Sequence, residues 1–411
     1  MVLVVVEATE GAVLGDGVFQ EGPVYVTVDE HGMISTVGTE KPKDSAVTLS
    51  APLLLPGFVD IHNHGVGGSH DVAYSWTNPE FTLSKLPANG VTTVLASLLP
   101  MDRESYAASL DALLPVIAKP KPGHTRCAGI HAEGPVIRDA GALPNQNLNP
   151  SLEEFTEIVD MCQGHMKVMT ISPSMEPQSD FRRTRLLLDR GIRVALGHDK
   201  HATADDIVAA LRTASEYNDS TPHITHIFNV SKFHHRDTSL VNFGLCRSFP
   251  NNPTFAGLHP PTVEVIGDGL HVDTLTVAGL LSARTPAAVA FITDNILHGE
   301  PGLKSAYCGR ELEVGPKGKG VYVEGTTTLA GSCLSLWDCL RFLVNEQGQN
   351  VAAACDMLSA TPARVARIPR VGRIKPGYFA DLLLASNDLR LQHTMIAGAV
   401  AFSFAGEVQR S

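Results

Sequence analysis

The chain has 411 residues, of which 44% are hydrophobic and 18% are charged, and its formal net charge is −11. This length exceeds what one small core needs and is enough for a large barrel with an accessory domain. The negative charge argues against a nucleic-acid partner, whose binding would depend on basic patches. No segment approaches the ~20 consecutive apolar residues of a membrane helix, so we expect no membrane partner.

The seven cysteines are scattered and form no Cys-x-x-Cys pair. This usage is typical of reduced thiols, so we expect a cytoplasmic protein. The apolar run from Met1 to Val6 has no basic residues before it and is interrupted by Glu7. We therefore interpret it as a strand and not as a signal peptide.

The two ends of the chain share one pattern, in which β-branched residues alternate with turns. It occurs in Val24–Val28 and Met33–Gly38, and it returns in Ala380–Leu384 and His393–Val400. These segments predict short antiparallel strands. We predict that residues 1–54 and 368–411 form one small β-sandwich domain, and that residues 55–367 form the second domain.

Between the two ends, short apolar strands alternate with helical segments, which is typical of repeated β-α units. Eight such strands predict a (β/α)8 barrel of the TIM type, so the fold class is α/β. The predicted strands are Phe58–Ile61, Val91–Leu98, Ala128–His131, Val168–Ser172, Val194–Gly197, Ile224–Ile227, Val263–Ile266 and Val289–Thr293. The predicted helices are Arg103–Ile117, Leu152–Cys162, Phe181–Arg190, Ala204–Ala214, Asp273–Arg284, Leu334–Glu346 and Val351–Leu358.

The first predicted barrel strand ends in two histidines one residue apart, His62 and His64. Alternate side chains of a strand point to the same face, so both imidazoles can reach one ion. Neutral imidazole suits zinc and other borderline divalent metals. The alternative is a packed or solvated pair, because short metal patterns often have no functional meaning.

Polar groups follow four other predicted strands in the same way. In a barrel the carboxyl ends of the strands meet at one mouth, where barrel active sites lie. Polar groups at the ends of five strands favour one functional site over the alternative, in which each residue separately caps a helix or packs in the core. The four further segments are Ile130–Pro135, Leu196–His198, Ile224–Asn229 and Ile292–Asp294.

The motifs in these segments, together with Phe233–Asp237 and Asp268–Asp273, resemble the amidohydrolase superfamily and, within it, the family of N-acetylglucosamine-6-phosphate deacetylases. The resemblance covers essentially the whole chain. Glu133 discriminates most, since related branches commonly use a carboxylated lysine to bridge two metals. The most specific motifs are His131–Pro135, Gly197-His198, Thr225–Asn229, Phe233–Asp237, Asp268–Asp273 and Thr293-Asp294.

The resemblance implies a metal-dependent enzyme in which Glu133, His198 and His226 hold the principal divalent ion. Zinc is the expected metal, with iron, cobalt or manganese as alternatives. One carboxylate and two imidazoles leave a coordination position open for water, as a catalytic site requires. Because His62 and His64 are both present, a second ion that shares Glu133 is also expected, so the chain holds one or two ions.

The resemblance also implies a reaction, the hydrolysis of the N-acetyl amide of N-acetylglucosamine 6-phosphate to glucosamine 6-phosphate and acetate. Asp294 is expected to act as general base toward the attacking water and then as general acid toward the departing amine. An amide nitrogen leaves poorly until it is protonated. The alternative role for Asp294 is that of a strand-end carboxylate bound by neighbouring amides.

Substrate recognition is expected to involve Asn229, the backbone at Val230, Arg236 and His271. Arg236 matches the family arginine that binds the sugar phosphate, which suits the bidentate reach of a guanidinium group. In relatives this arginine and the histidine that matches His271 can reach across a dimer interface. A homodimer is therefore expected by analogy.

The chain departs from the family pattern after the Glu-Gly-Pro motif. Relatives carry there a histidine that helps to polarise the substrate carbonyl, whereas this chain has Leu143, which cannot donate a hydrogen bond. Hydrolysis is expected to survive, with an altered rate or substrate preference. Two alternatives stay open: an amidohydrolase for another N-acyl sugar or N-acyl amino acid, and a noncatalytic barrel used as a scaffold.

Overall fold

The computed structural model describes residues 4–43, 45–67, 76–144, 148–217 and 221–404. The outer parts of the predicted terminal domain, residues 1–3 and 405–411, lie outside these ranges. In chain order the strands are β1 Val4–Gly15, β2 Val18–Glu21, β3 Val24–Val28, β4 Ile34–Gly38, β5 Leu49–Pro56, β6 Phe58–Asn63, β7 Val91–Leu98, β8 Arg126–Glu133, β9 Met166–Ile171, β10 Arg193–Leu196, β11 His223–Ile224, β12 Thr262–Ile266, β13 Val289–Ile292, β14 Lys304–Tyr307, β15 Arg310–Val314, β16 Gly320–Val323, β17 Leu329–Ser332, β18 Leu382–Ala385, β19 Leu391–Ile396 and β20 Ala399–Ser403.

The helices pack between and after these strands. Five of them follow the predicted segments between barrel strands closely, and every helix in the described ranges is too short or too polar to cross a bilayer. In chain order the α-helices are α1 Pro79–Lys85, α2 Arg103–Ala118, α3 Leu152–Met161, α4 Arg182–Asp189, α5 Ala204–Ser215, α6 Leu240–Leu245, α7 Thr274–Ala283, α8 Leu336–Arg341, α9 Val351–Leu358 and α10 Ala360–Val365.

Strands β6 to β13 form one parallel sheet in sequence order. Backbone hydrogen bonds close it into a barrel: Asp294 N donates to His62 O at 2.9 Å, and His64 N donates to Asn295 O at 2.8 Å. A strand covered on both faces needs an apolar run, and all eight residues of β7 are buried. The predicted (β/α)8 barrel is confirmed.

Strands from both ends of the chain join in a second sheet, in the order β20-β19-β18-β5-β1-β3-β4, with β2 beside β1. Its inward side chains form a separate core that includes Val26, Leu54 and Leu382. Arg126 of the barrel donates to Asp381 at 2.7 Å and ties this sheet to the barrel. The small β domain of the predicted fold class is therefore present, while its exact residue boundaries stay a prediction.

A third sheet was not predicted. Strands β14 to β17 pair antiparallel in sequence order and lie between the last barrel strand and α8. Its apolar side chains, among them Tyr307, Leu312 and Val321, pack with Leu99 and Leu143 from barrel loops. This insertion therefore covers part of the barrel mouth.

Two predicted elements are shorter than expected. The strand predicted over Ile224–Ile227 ends at Ile224, because the backbone turns and His226 adopts φ +24°. The helix predicted over Leu334–Glu346 begins at Leu336 and continues from Phe342 to Glu346 with wider, π-type turns. The first of these differences matters for the site, since the turn redirects a predicted ligand.

Candidate active site

Six predicted site residues meet at the carboxyl end of the barrel strands. Each lies at or just after the carboxyl end of its strand, and in a barrel these ends meet at one mouth. All six are buried. They are His62 and His64 at β6, Glu133 at the end of β8, His198 after β10, His226 after β11 and Asp294 after β13.

Glu133, His198 and His226 form the first group of metal-type ligand atoms. The Nε2 atoms of both histidines lie 2.9 Å from Glu133 Oε1. The same two nitrogens are 3.0 Å apart. This is the ligand set that the resemblance implied for the principal ion.

His62, His64 and Asp294 form the second group. The Nε2 atoms of His62 and His64 are 3.2 Å apart, and Asp294 Oδ1 lies 3.2 Å from His64 Nε2. Glu133 connects the two groups, since its Oε2 atom is 3.2 Å from His64 Nε2. The Glu133 carboxylate therefore has an oxygen close to the ligand atoms of each group.

The outer ring nitrogens fix the orientation of three imidazoles. His198 Nδ1 faces the carbonyl oxygen of Asp139 at 2.9 Å, and His64 Nδ1 faces that of Ser97 at 3.2 Å. His62 Nδ1 lies 2.6 Å from Glu264 Oε1. These oxygens can only accept, so in the neutral rings each Nδ1 carries the hydrogen and each Nε2 presents a lone pair to the site.

Lone pairs and carboxylate oxygens that converge at about 3 Å repel one another unless a cation lies between them. The donor set of both groups, imidazole nitrogen with carboxylate oxygen, suits zinc and neighbouring divalent metals. The residues present therefore fit a divalent metal centre.

The electrostatic environment of the site favours a charged His62 and an ionised Glu133. Burial lowers the pKa of His62, but the charges of Glu264, Glu133 and Asp294 raise it well above the usual value. Conversely, burial raises the pKa of Glu133, whereas the charge of His62 and the contacts with the His198 and His226 rings lower it well below the usual value. The carboxylates are thus held ionised, as metal ligands must be.

Three of the site residues have left-handed backbone angles, with φ of +52° at His198, +24° at His226 and +49° at Asp294. Such angles are costly for residues other than glycine and cluster at functional sites. Here they turn each side chain inward directly after its strand.

These groups lie at the base of a cavity of about 290 Å³. Barrel loops line one wall, and the inserted sheet lines the other through Tyr307, Arg310 and Leu329. His271 also lines the cavity, and its Nδ1 atom lies 2.6 Å from Asp268 Oδ2. Burial lowers the pKa of His271, but the hydrogen bond to Asp268 and the charges of Asp268 and Asp294 raise it overall.

Of the predicted substrate-binding residues, Asn229 and Val230 line the cavity together with His271. Gly141 allows the facing loop to approach Val230 closely, because a Cβ atom at Gly141 would lie 2.8 Å from Val230 Cγ2. Arg236 is exposed and is not among the described residues that line the cavity. Its predicted contact with phosphate stays a prediction.

Leu143 is buried and lines the cavity, so the structure has an apolar side chain where the family histidine was expected. Its carbonyl oxygen accepts a hydrogen bond from Arg310 Nη2 at 2.6 Å. Arg310 is half-buried. Among the described residues, the arginine and lysine side chains that line the cavity are those of Arg310 and Lys200.

Sequence reasoning missed four residues of this site. Lys200 could have been noticed, since it follows His198 by two residues at a strand end. Glu264 is a carboxylate inside an apolar strand, and that contrast was a usable signal. For Tyr307 and Arg310 no local signal exists, because the folding back of the inserted sheet brings them to the cavity.

Residues 253–401 of the chain match the model of the Amidohydrolase family. The chain is 30% identical to N-acetylglucosamine-6-phosphate deacetylase of Bacillus subtilis (strain 168) over 420 residues, which cover 96% of this chain and 95% of that protein. It is 27% identical to N-acetylgalactosamine-6-phosphate deacetylase of Escherichia coli O157:H7, over 87% of this chain and 90% of that protein.

Among solved structures, the fold is similar to a mutant N-acetyl-D-glucosamine-6-phosphate deacetylase from Mycobacterium smegmatis in complex with N-acetyl-D-glucosamine-6-phosphate. The TM-score is 0.81 at 23% sequence identity, and the match covers 98% of this chain and 100% of the other. At this identity the likeness concerns the fold.

Proposed function

Since the chain belongs to the N-acetylglucosamine-6-phosphate deacetylase family of amidohydrolases, we propose that it hydrolyses the N-acetyl amide of N-acetylglucosamine 6-phosphate. The products are glucosamine 6-phosphate and acetate. The observation that carries this proposal is the convergence of four histidine Nε2 atoms and two carboxylates, all buried, at the base of one cavity. A noncatalytic scaffold would have no reason to retain this costly cluster.

When bound, a divalent ion supplies Lewis-acid activation of water and of the amide carbonyl. Glu133, His198 and His226 would hold it, and Glu133 together with His62 and His64 would hold a second ion. Zinc is the metal we propose, because it is the commonest partner of mixed histidine and carboxylate sites with an open position.

Asp294 handles the proton in this proposal. Burial raises its pKa, but the charge of His62 and the hydrogen bond and charge of His64 lower the pKa below the usual value. An ionised Asp294 can accept a proton from the attacking water and then donate it to the amine nitrogen as the C–N bond breaks. The low dielectric of the buried site strengthens these charge interactions.

The cavity offers positive charge for a phosphate. His271, Lys200 and Arg310 line it, and the raised pKa of His271 favours its charged form. The relative from E. coli O157:H7 supports a second candidate substrate, N-acetylgalactosamine 6-phosphate. The two sugars differ only in the configuration of one hydroxyl group, so the same metal chemistry serves both.

We further propose that the protein is a cytoplasmic homodimer. All seven cysteines are free, which agrees with a reducing compartment. Phe233 and Leu275 are exposed by 61% and 82% respectively, and both are close in sequence to the predicted substrate-binding residues Arg236 and His271. Large exposed apolar side chains of this kind support an interface beside the site.

The first prediction tests the metal and the reaction together. Purified wild-type protein should release acetate from N-acetylglucosamine 6-phosphate much faster than from the unphosphorylated sugar, and chelation should abolish both activities. His198→Ala should lose most of the bound metal and activity, because one of three ligands to the principal ion is gone.

His201→Ala is the matched control, since His201 is a nearby exposed histidine that belongs to neither ligand group. It should keep the metal. Elemental analysis and acetate release are the measurements, with N-acetylgalactosamine 6-phosphate assayed beside them. A fully metallated wild-type protein that cleaves none of these sugars would contradict the proposed function.

A further inference from the structure

Glu264 is a buried carboxylate in the middle of β12, directly beneath the two ligand groups. It contacts three histidines. Its Oε1 atom lies 2.6 Å from His62 Nδ1 and accepts from the backbone N–H of His226 at 3.1 Å. Its Oε2 atom lies 3.2 Å from His223 Nε2.

The contact with His62 has a direct consequence for the second ligand group. An ionised carboxylate only accepts, so His62 Nδ1 must donate and Nε2 must present its lone pair. In this orientation Nε2 faces His64 at 3.2 Å, Glu133 at 3.5 Å and Asp294 at 3.6 Å. A rotated ring, or the other tautomer, would point a hydrogen into the ion's position.

The charge of Glu264 acts in the same direction. The two oxygens of Glu264 face the ring nitrogens of His62 and His223 and accept from the backbone N–H of His226. Such donors stabilise the ionised form of a buried carboxylate. A buried negative charge stabilises a nearby dication and makes the intervening imidazole a stronger ligand.

Asp60 gives a contrast within the same barrel. It is also buried, but its carboxylate accepts from Thr293 Oγ1 at 2.6 Å and from Asn63 Nδ2 at 3.0 Å. It therefore supports the backbone at the strand ends and does not orient an imidazole. A backbone carbonyl orients the His198 ring, whereas a carboxylate side chain orients the His62 ring.

We propose that Glu264 is the positioning residue for a second divalent ion at His62, His64 and the shared Glu133, and that this ion binds only weakly without it. The principal ion at Glu133, His198 and His226 does not depend on Glu264 in this way. The inference rests on the metal-dependent chemistry proposed above and not on the identity of the substrate.

The test compares wild type with Glu264→Gln and Glu264→Leu in titrations with Zn²⁺ and with Mn²⁺ alone. Glutamine keeps the shape and one accepting oxygen but removes the charge, whereas leucine removes both. Loss of an outer partner of a metal-bound histidine typically weakens metal affinity by about 10–100-fold. We expect that loss for the second ion in Glu264→Gln and a larger one in Glu264→Leu. The first ion should be unchanged in Glu264→Gln, because the glutamine oxygen still accepts from the backbone N–H of His226.

Asp268→Asn is the matched control, because Asp268 forms a 2.6 Å pair with His271, which is not among the grouped ligands. It should bind two ions like wild type. Electron paramagnetic resonance of the Mn²⁺ forms gives an independent readout: paired ions couple in wild type and Asp268→Asn, and an isolated-ion signal is expected for Glu264→Gln.

Three results would overturn the inference: one ion in wild type, wild-type affinity for both ions in Glu264→Gln, or equal loss of both ions in a folded Glu264→Gln. If Glu264→Leu does not fold, Glu264→Gln decides alone. Failure of the proposed function is distinguishable, since it would show as intact binding of two ions without deacetylation of the sugar phosphates.

Discussion

Asp294 combines a left-handed backbone conformation with a position in the second group of metal-type ligand atoms. Asp294→Asn should keep the fold and the principal ion, since asparagine has the same shape and retains one oxygen. It should lose about 10²–10⁴-fold in kcat, because asparagine cannot accept the proton of the attacking water. The measurement is kcat together with metal content. Near-normal turnover in a fully metallated variant would show that another group transfers the proton.

His271 is predicted to make KM for the phosphorylated sugar depend on pH. A histidine is charged below its pKa, and the pKa of His271 is raised, so its charge persists to higher pH than that of an ordinary histidine. That charge is lost as the pH rises through the raised pKa. We therefore expect KM for the phosphorylated sugar to rise above this pKa, while KM for the unphosphorylated sugar stays level.

Two variants separate His271 from other titrating groups. His271→Gln is neutral at every pH, so its KM for the phosphorylated sugar should be high and should not vary in this range. Asp268→Asn removes the partner that raises the pKa of His271, so the rise in KM should move to lower pH. An unchanged pH profile in both variants would exclude His271 from phosphate binding.

At the scale of elements, the inserted sheet β14–β17 forms a wall of the cavity and is held to the opposite loop by Arg310. Arg310→Met keeps the length of the side chain but leaves the Leu143 carbonyl without its charged donor. A hydrogen bond of this kind contributes about 1.5–3 kcal/mol. We expect a rise in KM of roughly tenfold or more with a smaller change in kcat, since the metal ligands lie on other elements.

Lys304→Met is the control on the same sheet. Lys304 pairs with Glu324 at the surface, where ion pairs contribute little. Its KM should match wild type. The measurement is steady-state kinetics on wild type, Arg310→Met and Lys304→Met. A wild-type KM in Arg310→Met would mean that the contact between Arg310 and Leu143 is not needed to position the inserted sheet.

At the scale of the whole molecule, the exposed Arg236 is predicted to act on a phosphate although it does not line the cavity of its own chain. Arg236→Ala should lower kcat/KM for the phosphorylated sugar by about 10–150-fold, which corresponds to a charged contact of roughly 1.5–3 kcal/mol. The unphosphorylated sugar should be barely affected. Lys232→Ala, an exposed cation of the same loop, should leave both rates unchanged.

A mixing experiment decides from which subunit Arg236 acts. Arg236→Ala and Asp294→Asn homodimers are each impaired, but a mixed dimer would combine an intact Asp294 in one chain with an intact Arg236 from the other. Random exchange at equal amounts should restore about one quarter of the wild-type sites. Activity no higher than the average of the two variants would place the action of Arg236 within its own chain, or exclude it.

The order of the barrel strands and the types of the metal ligands could be predicted from the sequence. Both depend on local patterns: a buried parallel strand is a largely apolar run, and polar residues such as His62 and Glu133 stand out where that run ends. The positions of the main helices between barrel strands were predictable for the same reason. The resemblance to a family then attached a chemistry to those strand ends.

Only the tertiary structure decided which residues support the ligands and enclose the cavity. Glu264 and His62 are 202 residues apart in the chain and meet because the barrel closes. Arg310 reaches Leu143 because an unpredicted sheet folds back over the barrel mouth. Such contacts depend on how distant elements pack, and no periodicity within a short segment records that packing.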